Sequence, residues 1–245
     1  MSGFLTSFYA ILLYCATFVL IAGVSYKIFI YSRTPAPLKI PVSPAPLTQS
    51  GVILRMFREV VFFESLFKSN KWIWLFGWIF HFSLLLVLLR HLRYFMEPVP
   101  LWVALIQPFG KYAAFGMVIG LAGLLARRIF VDRIRYISNP SDYGMLLLLI
   151  FIALSGMLMT FISAGHTDII ALKSFVLGLM SLNWQDIPTE IGVLLHLLLV
   201  AFLMFIFPIS KLIHAPGMFF SPTRNQVDNA RSKRHISSWA KKLED

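Results

Sequence analysis

The sequence predicts an all-α membrane protein, a five-helix transmembrane bundle. Three observations predict it. Of the 245 residues, 58% are hydrophobic and only 13% charged, against about 25% charged residues in a typical soluble domain. The charges gather between five apolar runs, each near the ~20 residues needed to cross a bilayer. Two of those runs carry histidine pairs, His81 with His91 and His196 with His214. Ionisable side chains are expensive in hydrocarbon, so these mark function.

The first span is free of charge from Met1 to Tyr26. With no basic residue before Lys27 it lacks the n-region of a cleaved signal peptide, so it is expected to stay in the membrane. Pro35, Pro37, Pro41, Pro44 and Pro46 then exclude helix and predict an extended loop. Val52 to Phe67 mixes large apolar residues with Arg55, Arg58, Glu59 and Glu64. That pattern suits a helix lying in the membrane interface or one packed on a partner subunit.

The second span, Trp72 to Phe95, stops at Glu97-Pro98-Val99-Pro100. The third is expected from Lys111 to Ile129, where Gly116, Gly120 and Gly123 allow close helix approach. A basic loop through Arg127, Arg128, Arg133 and Arg135 ends at Asn139-Pro140-Ser141-Asp142, and the fourth span runs from Tyr143 to Ser163. A nearly neutral loop holding His166, Lys173, Trp184 and Pro188 leads to the fifth span, Glu190 to His214. The organisation expected is a membrane domain over 1–214, including a cytoplasmic loop and interfacial helix over 32–71. A basic cytoplasmic tail over 215–245 follows, expected to dock a partner subunit.

Basic residues alternate from side to side. Of the 22 Lys and Arg residues, only Arg90, Arg93, Lys111 and Lys173 fall on one side, and the rest lie on the other or in the tail. The positive-inside rule makes the rich side cytoplasmic, with the N-terminus outside and the C-terminus inside. This topology implies a multi-pass protein of a prokaryotic cytoplasmic (inner) membrane. It also accounts for the net charge of +11 without nucleic acid, which is not expected as a partner; lipids are.

Sorted by side, the histidines form two pairs, His91 with His196 near the outer face and His81 with His214 near the cytoplasm. Two imidazoles fill both axial positions of a haem iron and leave none for oxygen, so such a haem transfers electrons. The expectation is a dihaem cytochrome b with two haems b. Cys15, the sole cysteine, excludes a disulfide, a cysteine-ligated cluster and covalent haem attachment. On straight helices His81 and His91 differ in depth by ~15 Å but His196 and His214 by ~27 Å. The inner pair therefore needs tilt or a kink at Pro208. Arg90 and Arg93 flank His91 and suit haem propionates, although Arg93 serves equally as a headgroup anchor. His166 and His235 read as solvated. Histidines that pack helices or relay protons, in a structural anchor or transporter, are the other reading. The scarcity of acidic residues in the spans speaks against it.

With these residues in place the chain resembles the gamma subunits of respiratory nitrate reductases, five-helix dihaem cytochromes b, over about residues 1 to 215. The resemblance rests on His81, His91, His196 and the stretch Phe207-Pro208-x-Ser210-x-Leu212-Ile213-His214. It implies the same pairing and a quinol-site lysine at Lys111, with menaquinone or another quinone as substrate. A snorkelling lysine is the other reading of Lys111. His214-Ala215-Pro216-Gly217 and Phe220 to Asn229 look like the M subunits of sulfite-reductase-associated membrane complexes (DsrMKJOP). That similarity implies a cytoplasmic iron–sulfur partner resembling the heterodisulfide reductase catalytic subunit. It also implies a second membrane subunit, and cytochrome c and iron–sulfur subunits on the outer face. The chain would exchange electrons between quinone and the cytoplasmic partner, within dissimilatory sulfur metabolism, as a quinol oxidoreductase subunit.

Overall fold

The computed structural model describes residues 2–34, 41, 44–162 and 168–229. Five helices are long and apolar enough to cross a membrane: Gly3–Arg33, Lys71–Tyr94, Leu101–Phe130, Pro140–Ile162 and Ile191–Ile209. At most 28% of any span's apolar window is buried inside the chain. The remaining apolar surface has to meet lipid or a partner. The residues group into two compact units, 1–20 with 66–206 and 21–65 with 207–245.

The larger unit is built on a tight antiparallel hairpin of α4 (Lys71–His91) and α5 (Leu101–Phe130). Asn70 starts α4 by accepting from the Ile73 amide at 3.0 Å. A stripe of glycines on α5 then brings the two backbones together. A Cβ on Gly110 would lie 2.5 Å from Arg90 Cβ, and one on Gly120 would lie 2.8 Å from the Phe80 backbone nitrogen. On Gly116 it would meet the Ser83 hydroxyl, and on Gly123 the Phe76 ring. As numbers rise along α5 their partners on α4 fall, which fixes the antiparallel register. The small-residue spacing read from the sequence is this contact surface.

Helix α5 begins ten residues earlier than expected. Pro100 precedes it, and Pro108 lies within it. A proline in a long apolar helix loses one hydrogen bond and can bend the helix without ending it. Lys111 consequently sits well inside the helix rather than at its start.

The basic turn after α5 contains a short helix, α6 (Asp132–Ile137). Arg128 donates to Ser138 Oγ at 2.8 Å and meets the buried Asp142 carboxylate at 3.5 Å. Asp142 also closes a capping box with Asn139 at the start of α7 (Pro140–Met157). A π-helical turn, Leu158–Ile162, continues α7. The segment expected as a neutral loop forms a further helix, α8 (Ile169–Met180), capped by the Asp168 side chain. At twelve residues α8 is only ~18 Å long, too short to span. Lys173 on α8 pairs with Glu97 after α4. Phe175 of α8 packs with Tyr9 and Ile187. The Tyr9 hydroxyl donates to the Leu194 carbonyl at 2.9 Å, linking α1 (Ser2–Arg33) to α9 (Ile191–Ile206).

Two further spans depart from their expected limits for physical reasons. Helix α1 continues seven residues past Tyr26 to Arg33, because Lys27 and Arg33 are good helix formers whose stems run along apolar surface. Helix α9 ends at Ile206, not His214. Tighter three-residue turns follow at Phe207–Ile209 and Lys211–Ile213, then one helical turn at His214–Gly217. Pro208 has no amide to continue the ladder. His196 and His214 are therefore not five turns apart on one helix face, and the two fall in different units.

In the smaller unit the helix expected over 52–67 is broken. Phe63 at φ 52° separates α2 (Gln49–Phe62) from α3 (Glu64–Ser69). Helix α2 is amphipathic in an inverted sense. Val52 is buried beside the partly covered Arg55 and Glu59, while Ile53, Leu54, Phe57 and Val61 are exposed. Arg224, beyond the last span, pairs with Glu59 and donates to Ser65 Oγ. The Asp228 amide donates to the Pro46 carbonyl at 2.9 Å. Residues 218–229 thus pack on their own chain. Residues 230–245, and the expected solvated His166 and His235, lie outside the described residues.

Candidate functional site

Helix α4 carries His81 and His91, and α9 carries His196. The rings of His91 and His196 have centres 6.3 Å apart and planes 16° from parallel. An imidazole nitrogen lies about 1 Å from its ring centre and binds a metal at about 2 Å, so imidazoles on opposite sides of one ion have centres about 6 Å apart. The observed separation fits that arrangement. Among the described residues no group of three or more His, Cys, Asp or Glu side chains converges on a bare metal ion. A pair is what a porphyrin requires, since it supplies four nitrogens and leaves two axial positions.

All four candidate ligands have Nδ1 engaged. His81 donates to the Gly77 carbonyl and His91 to the Val87 carbonyl, each at 2.7 Å and one turn back in the same helix. His214 donates to the Lys211 carbonyl at 2.8 Å. A carbonyl only accepts, so in each the proton sits on Nδ1 and the lone pair on Nε2. His196 finds its partner on another helix: Nδ1 lies 2.8 Å from the hydroxyl of Ser155 on α7. His81, His91 and His214 thus share the tautomer a metal-binding histidine takes when its second nitrogen is anchored, and the Ser155 hydroxyl can accept the same proton from His196.

Around His91 the end of α4 is polar. The Arg93 guanidinium lies over the Tyr94 ring at 4.8 Å and donates to its hydroxyl at 2.7 Å. Gln107 of α5 donates to the Arg90 carbonyl at 3.3 Å and to the Val103 carbonyl at 3.0 Å. Among the described residues, Arg93 Nε and Gln107 Oε1 are buried without a hydrogen-bond partner. Orphaned buried polar atoms mark places where a further group is accommodated. Arg90 itself packs against Gly110, the residue before Lys111. The Lys111 ammonium lies 5.1 Å from the Phe161 ring centre and 5.9 Å from that of Tyr112. Phe115 completes this aromatic wall, 4.8 Å from Phe161. Phe161 stands on the π-helical turn, a distortion frequent at functional sites.

A family model described as nitrate reductase gamma subunit matches residues 64–231, a stretch containing all four histidines, Arg90 and Lys111. The chain belongs to the nitrate reductase gamma subunit family. Two relatives are each named an Hdr-like menaquinol oxidoreductase cytochrome b-like subunit. That of Archaeoglobus fulgidus is 34% identical over 271 residues, covering 92% of this chain and 81% of its own. That of Archaeoglobus profundus is 31% identical over 288 residues, covering 98% and 84%. Family membership and five spans make the chain a multi-pass membrane protein.

In this gamma-family chain the structure brings His91, His196, Arg90 and Lys111 to one end of the α4–α5 hairpin. His81 lies nearly three turns back on α4, with its ring 4.8 Å from Phe80. Sequence reasoning did not single out Ser155, Gln107 or Phe161. Ser155 had a signal, as a polar residue in an otherwise apolar run, but only the packing of α7 on α9 gives it a partner. Phe161, one of 23 phenylalanines, had none.

Proposed function

We propose that the chain is the membrane cytochrome b subunit of a menaquinol oxidoreductase. In this reading it exchanges electrons between the quinone pool and a cytoplasmic iron–sulfur subunit. The observation that carries the reading is the His91–His196 pair, spaced and hydrogen-bonded as axial ligands of one iron. The names of both relatives support it. His91 and His196 hold an outer haem b, with Arg90 and Arg93 available to its propionates. His81 and His214 hold an inner haem b, a pairing supported by the family resemblance; each ring has Nδ1 anchored on a backbone carbonyl. When bound, a bis-histidine haem supplies one-electron transfer with no open coordination site.

Lys111 binds the quinol. Its ammonium, held against Tyr112 and Phe161, is placed to donate to a quinone oxygen, while the aromatic wall receives the ring. The N-terminus lies outside and the C-terminus in the cytoplasm of a prokaryotic inner membrane, so this quinol site is on the outer side. The end of the chain resembles that of sulfite-reductase-associated complexes and the relatives are Hdr-like. The cytoplasmic partner is accordingly a heterodisulfide-reductase-like iron–sulfur subunit, in an assembly of sulfur metabolism with a second membrane subunit and outer-face cytochrome c and iron–sulfur subunits.

A pyridine haemochrome assay on the purified chain should give two b haems per polypeptide. One or none would overturn the dihaem reading. A second test concerns the partner. The basic tail over 215–245 docks this partner, and its last part, 230–245, carries five basic residues and Trp239. Truncation after Asn229 should release the iron–sulfur subunit while both haems remain. Co-purification at the full-length level would refute this docking role.

A further inference from the structure

We propose that Ser155 is a positioning residue for His196, setting the donor strength of that imidazole and with it the reduction potential of the outer haem. The proposal rests on the haem reading above. Ser155 is buried, with 7% of its surface exposed. Its hydroxyl donates to the Ile152 carbonyl at 2.9 Å and lies 2.8 Å from His196 Nδ1. A hydroxyl has one proton to give, and here it goes to a carbonyl that cannot return it. With Nε2 as the iron-binding atom, His196 carries its proton on Nδ1, and the contact then runs from Nδ1–H to the serine oxygen.

That makes Ser155 a relay between a backbone carbonyl of α7 and a ring on α9. Donating to Ile152 polarises the hydroxyl and strengthens it as an acceptor. His81, His91 and His214 bond backbone carbonyls of their own segments, which no substitution removes. His196 bonds a side chain from a different helix, and the Ile152 carbonyl of that helix also lies within its reach. The bond fixes the rotation of the ring that lies 16° from parallel to His91. It also draws the Nδ1 proton away, enriching Nε2 in electron density. An electron-rich axial ligand favours the oxidised iron, so the serine holds the potential down. Without it the Nδ1–H would lose one acceptor and keep only the Ile152 carbonyl, leaving the ring a poorer donor and the potential higher.

The test is a potentiometric titration of the haem-loaded chain, read by the α-bands and low-spin resonance signals of each haem, for wild type, Ser155→Ala, Ser155→Val and Ser155→Thr. Val and Thr share a shape and differ in the hydroxyl. Ala and Val should move the outer-haem midpoint positive and alter its resonance signal, with the inner-haem midpoint unchanged. Thr should keep the wild-type midpoint. If Ala loses the outer haem, the Thr–Val pair decides: haem and midpoint kept in Thr but not in Val supports the relay. Equal midpoints in Thr and Val, with both haems bound, overturn the proposal and leave the haem reading standing. A wild-type chain without haem overturns both.

Discussion

His91→Ala and His196→Ala should each remove the same haem, and the double variant should remove no more than either alone. The argument is one of shared dependence. The sole cysteine, Cys15, cannot anchor a porphyrin covalently in the way that paired cysteines do, so the axial bonds and packing must hold it. With the ring centres at 6.3 Å, one iron between them uses both imidazoles, and losing either leaves half the ligation. The expected result is a fall from two haems per chain to one. His81→Ala and His214→Ala should produce the complementary loss, leaving the outer haem spectrum intact. The α4–α5 contact at Gly110, Gly116, Gly120 and Gly123 does not use these rings. The variants should therefore still insert as bundles, which a protease-protection pattern equal to wild type would verify. Should His91→Ala and His196→Ala deplete different haems, the pairing is wrong even if the total of two is right.

This pairing illustrates what the sequence makes legible. A span needs only a long apolar run, so five spans were readable, and so was the glycine stripe, because close approach leaves no other residue small enough. Limits were harder where a residue permits two outcomes. The expected start of the third span at Lys111 lies inside α5, since an apolar helix of 30 residues tolerates the hydrogen bond lost at Pro108. Helix α8 was hidden because an apolar run of twelve residues containing Lys173 is neither a span nor an amphipathic surface helix; one of its partners, Tyr9, lies far off in sequence. The end of α9 at Ile206 shows the reverse error, a smooth apolar pattern carried past a proline that stops the ladder. Ser155 belongs to a third kind. Its chemistry is local, but its meaning comes from a helix 41 positions away.

Lys111→Ala should slow reduction of the haems by a menaquinol analogue by roughly tenfold or more, while leaving both haem spectra and the assembly unchanged. A lysine inside a membrane helix needs compensation, and the structure supplies it partly from two aromatic faces, at 5.1 and 5.9 Å. Those faces stabilise the charge without consuming its hydrogen-bond donors. An ammonium retains three donors, so a quinone oxygen arriving at the Tyr112–Phe161 wall meets a charged donor. A hydrogen bond to a charged group contributes about 1.5–3 kcal/mol, and each 1.4 kcal/mol is about tenfold in affinity. If Lys111 were only a snorkelling anchor, alanine would forfeit headgroup contact and nothing else. The two roles separate by where the loss appears. A quinol site predicts weaker binding of a fluorescent quinol analogue in parallel with slower reduction, and Phe161→Ala should weaken that binding too by removing the wall. An anchor predicts unchanged analogue affinity and wild-type reduction rates, in which case the quinol site lies elsewhere in the complex.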